Sequence, residues 1–229
     1  MLVTTKEMLL DAQKNHYAVG AFNVENLEFV MAVLAAAEET KSPVIMQTTP
    51  GTIKTAGLDY FYGMVAAAAA RTDVPVALHL DHGDGYDRCM QAFRTGYTSV
   101  MIDGSHESFE DNIALTASVA RAGAAMGVGA AANAIPFPDP EEAREFVERT
   151  GCTSLAIGVG TAHGVYTETP HIEQEVVKAI RAAVDVPLVL HGTSGVPDEQ
   201  VAEAVKNGIC KVNYATELRQ AYTKGYMAF

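Results

Sequence analysis

Short, nearly continuous apolar runs alternate with stretches of helical period along almost the whole chain. AVGAFN (18–23), PVIMQT (43–48), PVALHL (75–80), TSVMID (98–103), GVGAA (127–131), SLAIGV (154–159), PLVLH (187–191) and GICKVN (208–213) read as strands. Their apolar residues do not take turns with polar ones, which is how strands covered on both faces look. The stretches between them carry helix punctuation. Asp139-Pro140-Glu141-Glu142 supplies a cap, a proline at the first helical position and acids in the first turn, with Gly151 at the far end; Pro197-Asp198-Glu199 and Gly208 bracket a second such stretch. Thr4-x-x-Glu7 reads as a capping box opening a helix that plugs or flanks the sheet. Eight strands each followed by a helix predict an α/β fold, a (β/α)8 TIM barrel built as a single domain over residues 1–229, with a doubly wound open sheet as the runner-up.

A barrel of this kind carries its chemistry where the strands end. In this sequence the strand ends hold Asn23; Asp81 and His82; Asp103; Thr161 and His163; His191 followed by Gly192-Thr193-Ser194-Gly195; and Lys211 with Asn213. His82, His163 and His191 come from three separate strand ends. A trio of neutral imidazoles around one rim suits a catalytic Zn²⁺ with an open position for a substrate oxygen. Any one of these histidines alone reads as a satisfied polar residue, and His16, His79, His106 and His171 are read that way, with His79 pointing into the barrel. Asp81 neighbours His82, and strict strand alternation aims the two side chains in opposite directions. Two roles stay open for it: a proton shuttle aimed at the substrate, and a partner that orients an imidazole. GTAHG (160–164) and HGTSG (191–195) place glycines and hydroxyls where backbone N–H groups can cradle a phosphate.

Charge narrows the partners. A formal net charge of −12 argues against nucleic acid or an anionic membrane surface as the main partner. An anionic substrate would then be met locally, by amides, a few cations or a metal. Cys89, Cys152 and Cys210 lie far apart, without the spacing of a disulfide framework or a thiolate metal site. With no apolar run long enough for a bilayer or a signal peptide, the expected location is the cytoplasm.

GAFNVENLE, LHLDHG, TSVMIDGSHESFEDN, GTAHGVY, PLVLHGTSG and GICKVNYATEL occur in an order that resembles the successive motifs of the class II, zinc-dependent ketose-1,6-bisphosphate aldolases, the fructose- and tagatose-bisphosphate enzymes. The resemblance covers nearly the whole chain. It implies that His82, His163 and His191 hold Zn²⁺ and that Asp81 is the acid/base at the C4 hydroxyl. It implies further that Asn23, Gly164, Gly192, Ser194, Asn213 and Thr216 bind dihydroxyacetone phosphate, with a monovalent cation (Na⁺ or K⁺) assisting, and that Asp103 is an acidic position near the metal or at a second one. The implied partner is a small phosphorylated sugar, and the implied assembly a homo-oligomer, a dimer or tetramer. Zinc chemistry of this type needs no Schiff-base lysine; Lys211 is the strand-end lysine that could form one.

The sequence departs from the family in three places. Strand five leads into GVGAAANAIPFPDP, where the family carries V-E-A-E-L-G and a loop whose glutamate exchanges the enediolate proton; Thr167 stands after HGVY, where the family often has lysine; and Phe229 ends the sequence where the family continues into further helices. A catalytically impaired sugar-phosphate-binding barrel is therefore the second function class. A zinc hydrolase on the same fold is the third, weakened because strand one ends in Asn23 rather than an H-x-H pair. GTAHGVY and ATEL lean towards the tagatose-type members without deciding the C4 stereochemistry.

Overall fold

Successive strands pair side by side, all parallel, until the last closes on the first: β1 (Val19–Asn23), β2 (Val44–Thr48), β3 (Val76–Gly83), β4 (Ser99–Asp103), β5 (Gly129–Asn133), β6 (Ser154–Ala156), β7 (Leu188–Leu190) and β8 (Ile209–Tyr214) form a closed barrel. The computed structural model describes residues 1–133 and 139–228. Helix α1 (Thr5–Asn15) precedes the barrel, and α2 (Leu27–Thr40), α3 (Pro50–Ala56), α4 (Leu58–Ala69), α5 (Tyr86–Thr95), α6 (Phe109–Ala125), α7 (Pro140–Thr150), α8 (Gln174–Ala183), α9 (Asp198–Lys206) and α10 (Thr216–Met227) follow the strands. This is the (β/α)8 barrel that the strand–helix alternation predicts, and ring closure excludes the open sheet. Among the described residues no helix is long and apolar enough to cross a membrane.

Local chemistry sets the element ends. Asn26, Ser108 and Asp139 each accept a backbone N–H of the first turn of α2, α6 and α7. Thr4 is the N-cap of α1, but its side chain makes no capping bond, so the capping box expected there does not form. The helix nonetheless plugs the base of the barrel: Met8, Leu9 and Ala12 pack on Val19, Ala21, Ile45, Ala77 and Cys210. Strand five starts two residues later than its pattern suggests, because Gly127 adopts φ 71° and Val128 still donates to the carbonyl of Gly123 at the end of α6. Strand six stops at Ala156, and the chain reaches α8 through a long irregular segment. The stretch 134–138, where the absent family carboxylates would be sought, lies outside the described residues.

Outward-facing strand residues such as Val44, Met46, Leu78, Leu80, Val100 and Ile102 pack against the helices, as do Leu155, Leu188, Leu190, Ile209 and Val212 on the other side of the barrel. Burial of each such side chain is worth roughly 1.5–3 kcal/mol. This ring of apolar contacts supports an interior that is polar towards the strand ends.

The period-two alternation breaks at two points. Between β3 and β4, Leu80 pairs with Val100 but Gly83 pairs with Ile102, so β3 carries one extra residue. His82 takes up the excess with φ 52°, a left-handed conformation uncommon for a residue with a side chain. Asp81 and His82 consequently both face the barrel mouth, which corrects the expectation that they point opposite ways. Between β7 and β8, Leu188 pairs with Ile209 and Val189 with Lys211, so Cys210 is skipped and Lys211 turns inward. Gly83 permits the first shift, since a Cβ there would lie 2.7 Å from the Met101 carbonyl oxygen and 3.0 Å from Cys89 Sγ. Gly83→Ala is accordingly expected to destabilise the protein by about 1–3 kcal/mol, the usual cost of overpacking, measured as a lowered urea midpoint at unchanged slope; an unaltered midpoint would mean that β3 has room to spare.

Candidate active site

The inward turn of His82 brings it to two loop histidines. His191 follows β7 directly, and His163 sits in the segment after β6; the three rings lie edge to face, with centroids 4.9 Å (His82–His163), 4.8 Å (His82–His191) and 5.5 Å (His163–His191) apart. One nitrogen of each falls within 4.8 Å of the others. His82 Nε2 is buried with no hydrogen-bond partner, and His163 Nε2 faces His191 Nδ1 at 3.3 Å. Ring nitrogens facing one another at that distance call for a proton or a cation between them. The group fits a metal ion that accepts imidazole ligands.

Each ring is tuned by its surroundings. His82 Nδ1 meets Asp103 Oδ2 at 2.5 Å and its Nε2 lies 4.0 Å from Asp81 Oδ2. Burial would lower the His82 pKa, but the Asp103 hydrogen bond and the two carboxylate charges outweigh it and hold it above the ordinary value. Asp103 also accepts from the Ser105 amide and hydroxyl; against burial, these bonds and His82 hold its carboxyl well below the usual carboxylate range. His163 and His191 are instead driven towards the neutral form by burial, with the charge of His82 adding at His163 and that of Lys211 adding at His191. A carboxylate behind one imidazole fixes which of its nitrogens is left for a ligand.

Beneath the histidines lies a buried polar network. Lys211 Nζ donates to Gln47 Oε1 (3.1 Å) and Asn213 Oδ1 (2.5 Å). Gln47 Nε2 reaches Asn23 Oδ1 (2.7 Å) and Asp81 Oδ2 (3.3 Å), and Asn213 Nδ2 reaches Asp81 Oδ1 (3.4 Å). Desolvation lowers the Lys211 pKa to about 8, with the Asp81 charge opposing. Its ammonium is committed to two amide oxygens and does not line the cavity, which is no setting for a Schiff base.

The glycine loops close the mouth. Tyr166 Oη accepts from the Ala162 amide (2.7 Å) and donates to the Gly192 carbonyl (2.8 Å), tying the His163 loop to the His191 loop. Gly192 has φ 65°, and a Cβ there would lie 2.4 Å from the Ala162 carbonyl oxygen, so both the backbone conformation and the close approach require glycine. Ser194 Oγ accepts from the amides of Ala215 and Glu217, both at 3.4 Å, leaving its own O–H to donate elsewhere. The Gly195 amide is already taken by Glu217 Oε1 at 2.9 Å, which narrows the phosphate cradle expected of HGTSG.

Asn23, Asp81, His82, His163, Gly164, Gly192, Ser194, Asn213 and Thr216 line one cavity of about 500 Å³, together with Thr49, Ala215 and Arg219. That is an ordinary size for a small-molecule site. His191 and Asp103 stand behind it. His79 lies deeper in the barrel, its Nδ1 2.8 Å from Ser99 Oγ. Sequence reasoning passed over Gln47, although an amide near the end of an otherwise apolar strand was the same signal that picked out Asn23. It also passed over Arg219, one turn into α10 after Thr216, which is paired with Glu25.

A closed barrel with a three-imidazole group at the strand ends can hold a metal ion beside a carboxylate. The chain matches the class-II fructose-bisphosphate aldolase family over residues 3–229 and belongs to that family; it is an aldolase, a carbon–carbon lyase. Among solved structures it is similar to the YdjI aldolase of Escherichia coli K12, at 41% identity and a TM-score of 0.91, covering 97% of this chain and 84% of that one. It is also similar to a putative fructose-1,6-bisphosphate aldolase from Coccidioides immitis (30%, TM-score 0.88, 95% and 83%). The fold is shared with the fructose-bisphosphate aldolase of Campylobacter jejuni (24%, TM-score 0.84, 98% and 80%).

If Asp103 orients His82, Asp103→Asn is expected to weaken divalent-metal affinity about 10- to 100-fold without unfolding the barrel. Competition against a chromophoric chelator reads this directly, and unchanged affinity would reduce Asp103 to a partner of Ser105.

Proposed function

We propose that the protein catalyses reversible aldol cleavage of a ketose 1,6-bisphosphate, fructose or tagatose 1,6-bisphosphate, to dihydroxyacetone phosphate and glyceraldehyde 3-phosphate, with Zn²⁺ held by His82, His163 and His191. The observation that carries the reading is the grouping of those three imidazoles beside a cavity that His82, His163 and Asp81 line, with an Asp81 carboxylate oxygen 4.0 Å from the unpartnered His82 Nε2. A bound Zn²⁺ supplies Lewis-acid polarisation of the ketone. Everything else falls to the chain's own groups.

Asp81 faces the cavity with two amide N–H groups behind its oxygens, so it is held in position to take the proton of the C4 hydroxyl in cleavage and return it in condensation. These contacts support the shuttle role for Asp81. Asn23 and Asn213 offer amide groups to the triose oxygens. Ser194 offers its hydroxyl, and Gly164, Gly192 and Thr216 border the space for the 1-phosphate. Gly195 is the less available donor because Glu217 holds its amide. Asp103 keeps His82 Nδ1 occupied, so Nε2 is the nitrogen that would be left to hold a metal.

A second reading, a barrel that binds the sugar phosphate but turns it over poorly, draws on the strand-five end: Gly129–Asn133 reads GAAAN and brings no carboxylate. The two readings differ in outcome. A cleavage assay on fructose and tagatose bisphosphates is expected to show turnover that a strong chelator abolishes and Zn²⁺ restores; zinc-dependent binding of dihydroxyacetone phosphate without cleavage would establish the second reading, and neither would refute both. Asp81→Ala is expected to keep its metal and lose about 10²- to 10⁴-fold in kcat, the usual contribution of a general acid/base. An unchanged rate in that variant would return Asp81 to an orienting role.

A further inference from the structure

Lys211 is the one buried cation beneath the cavity among the described residues, and the reaction proposed above makes no use of it. Its relative exposure is 2%. No carboxylate oxygen stands within hydrogen-bond distance of its Nζ; its partners are the two amide oxygens of Gln47 and Asn213. An ammonium can only donate, and a carboxylate can only accept. A primary amide between the two therefore has one satisfied orientation, with its carbonyl towards the lysine and its NH₂ towards the aspartate. Both amides are caught in this way. Gln47 lies between Lys211 and Asp81 Oδ2, and Asn213 between Lys211 and Asp81 Oδ1. The Gln47 NH₂ goes on to Asn23 Oδ1 at 2.7 Å. With its oxygen thus occupied, Asn23 has its own NH₂ left to present, and Asn23 lines the cavity.

We propose that Lys211 is a positioning residue that sets the direction of the hydrogen bonds in this network, so that Asn23 meets the substrate as a donor, Asn213 turns its NH₂ to Asp81 and the His191 ring, and Asp81 is held by two N–H groups. The inference rests on the catalytic reading of the cavity for its effect on turnover, but the orientation of the amides does not. In the absence of Lys211 the oxygens of Gln47 and Asn213 would be buried without a partner, and either amide could relieve this by turning over and presenting its oxygen to Asp81. A lone pair aimed at a carboxylate repels it, and the acid/base would shift. Displacements of about 1 Å at such a group cost on the order of 10²-fold in rate.

The test uses the full chain with Lys211→Met, Lys211→Arg and Gln47→Glu, all compared with the unsubstituted protein. Lys211→Met keeps the length of the side chain and removes its donors. Gln47→Glu keeps an acceptor for Lys211 and removes the N–H groups given to Asn23 and Asp81. The expected result is that Lys211→Met and Gln47→Glu each lose about 100-fold in kcat while holding their metal, that Lys211→Arg recovers part of the loss, and that the double variant is little worse than the poorer single one, as for groups acting through one chain of bonds. Independently of turnover, side-chain amide NMR of the metal-free protein is expected to show single, slowly rotating Gln47 and Asn213 carboxamides that become averaged in Lys211→Met. If Lys211 only fills space in the core, Lys211→Met will retain kcat within about twofold and keep single Gln47 and Asn213 carboxamides, which overturns the inference. Should Lys211→Met fail to fold, the shorter apolar Lys211→Leu carries the same decision. A protein that cleaves nothing even when unsubstituted refutes the proposed function instead, and the amide spectra then decide the inference alone.

Discussion

The site depends on one constraint of the parallel barrel: along each strand, side chains face inward at every second residue. A strand end that kept to this rule could give the mouth Asp81 or His82 but not both. The extra residue in β3 removes the restriction, at the cost of a left-handed backbone at His82. Residues in such conformations cost of order 1–3 kcal/mol and persist where the surroundings fix them. Here the surroundings do. Asp103 holds the His82 ring from behind, and Gly83 lets the strand rejoin β4 against the Met101 carbonyl. The skipped Cys210 in β8 is the counterpart, turning Lys211 into the space below Asp81.

Those two shifts explain how the interior can be polar. An ammonium, a carboxylate and three amides inside a barrel would be a liability if any were left without a partner. They form instead a graded network in which a donor-only group at the base and acceptor-only groups at the top are joined through amides that can serve both. The apolar strand faces and the helices outside supply the stabilisation, while the network fixes direction. This division also answers how a chain with a net charge of −12 could receive an anion. The acids are largely on the outside, paired on α7 as Arg144–Glu141 and Arg149–Glu145 are, and the side chain beneath the cavity is a lysine.

The eight-strand alternation was legible because it rests on burial of both strand faces, which any sequence must express as continuous apolar runs. The convergence of His82, His163 and His191 was legible for a related reason: strand ends in a closed barrel share one rim. What the sequence could not express was the register. Nothing in LHLDHG marks one residue as surplus, since the shift arises from how β3 meets β4, and so Asp81 and His82 were assigned to opposite faces. The role of Lys211 was hidden for the same reason in β8. Strand five begins later than its pattern because Gly127 takes a positive φ there, a choice that composition permits but does not dictate. Gln47 is readable from its place near the end of VIMQT, by the same signal that marks Asn23.

The two loops after β6 and β7 complete the dependence on close packing. Each brings a histidine and a glycine to the mouth, yet neither is held by regular structure, and their mutual position rests on the Tyr166 hydroxyl and on the absence of a side chain at Gly192. The tyrosine reads both loops at once, accepting from one backbone and donating to the other, so a change in the spacing of the loops must break at least one of these bonds. His163 and His191 are therefore coupled through backbone atoms before any ion is considered. The third imidazole is coupled through a different route, the strained turn of β3 and the Asp103 carboxylate. A cation seated among the three would join two separately stabilised halves of the rim, and its binding would be sensitive to the packing of each.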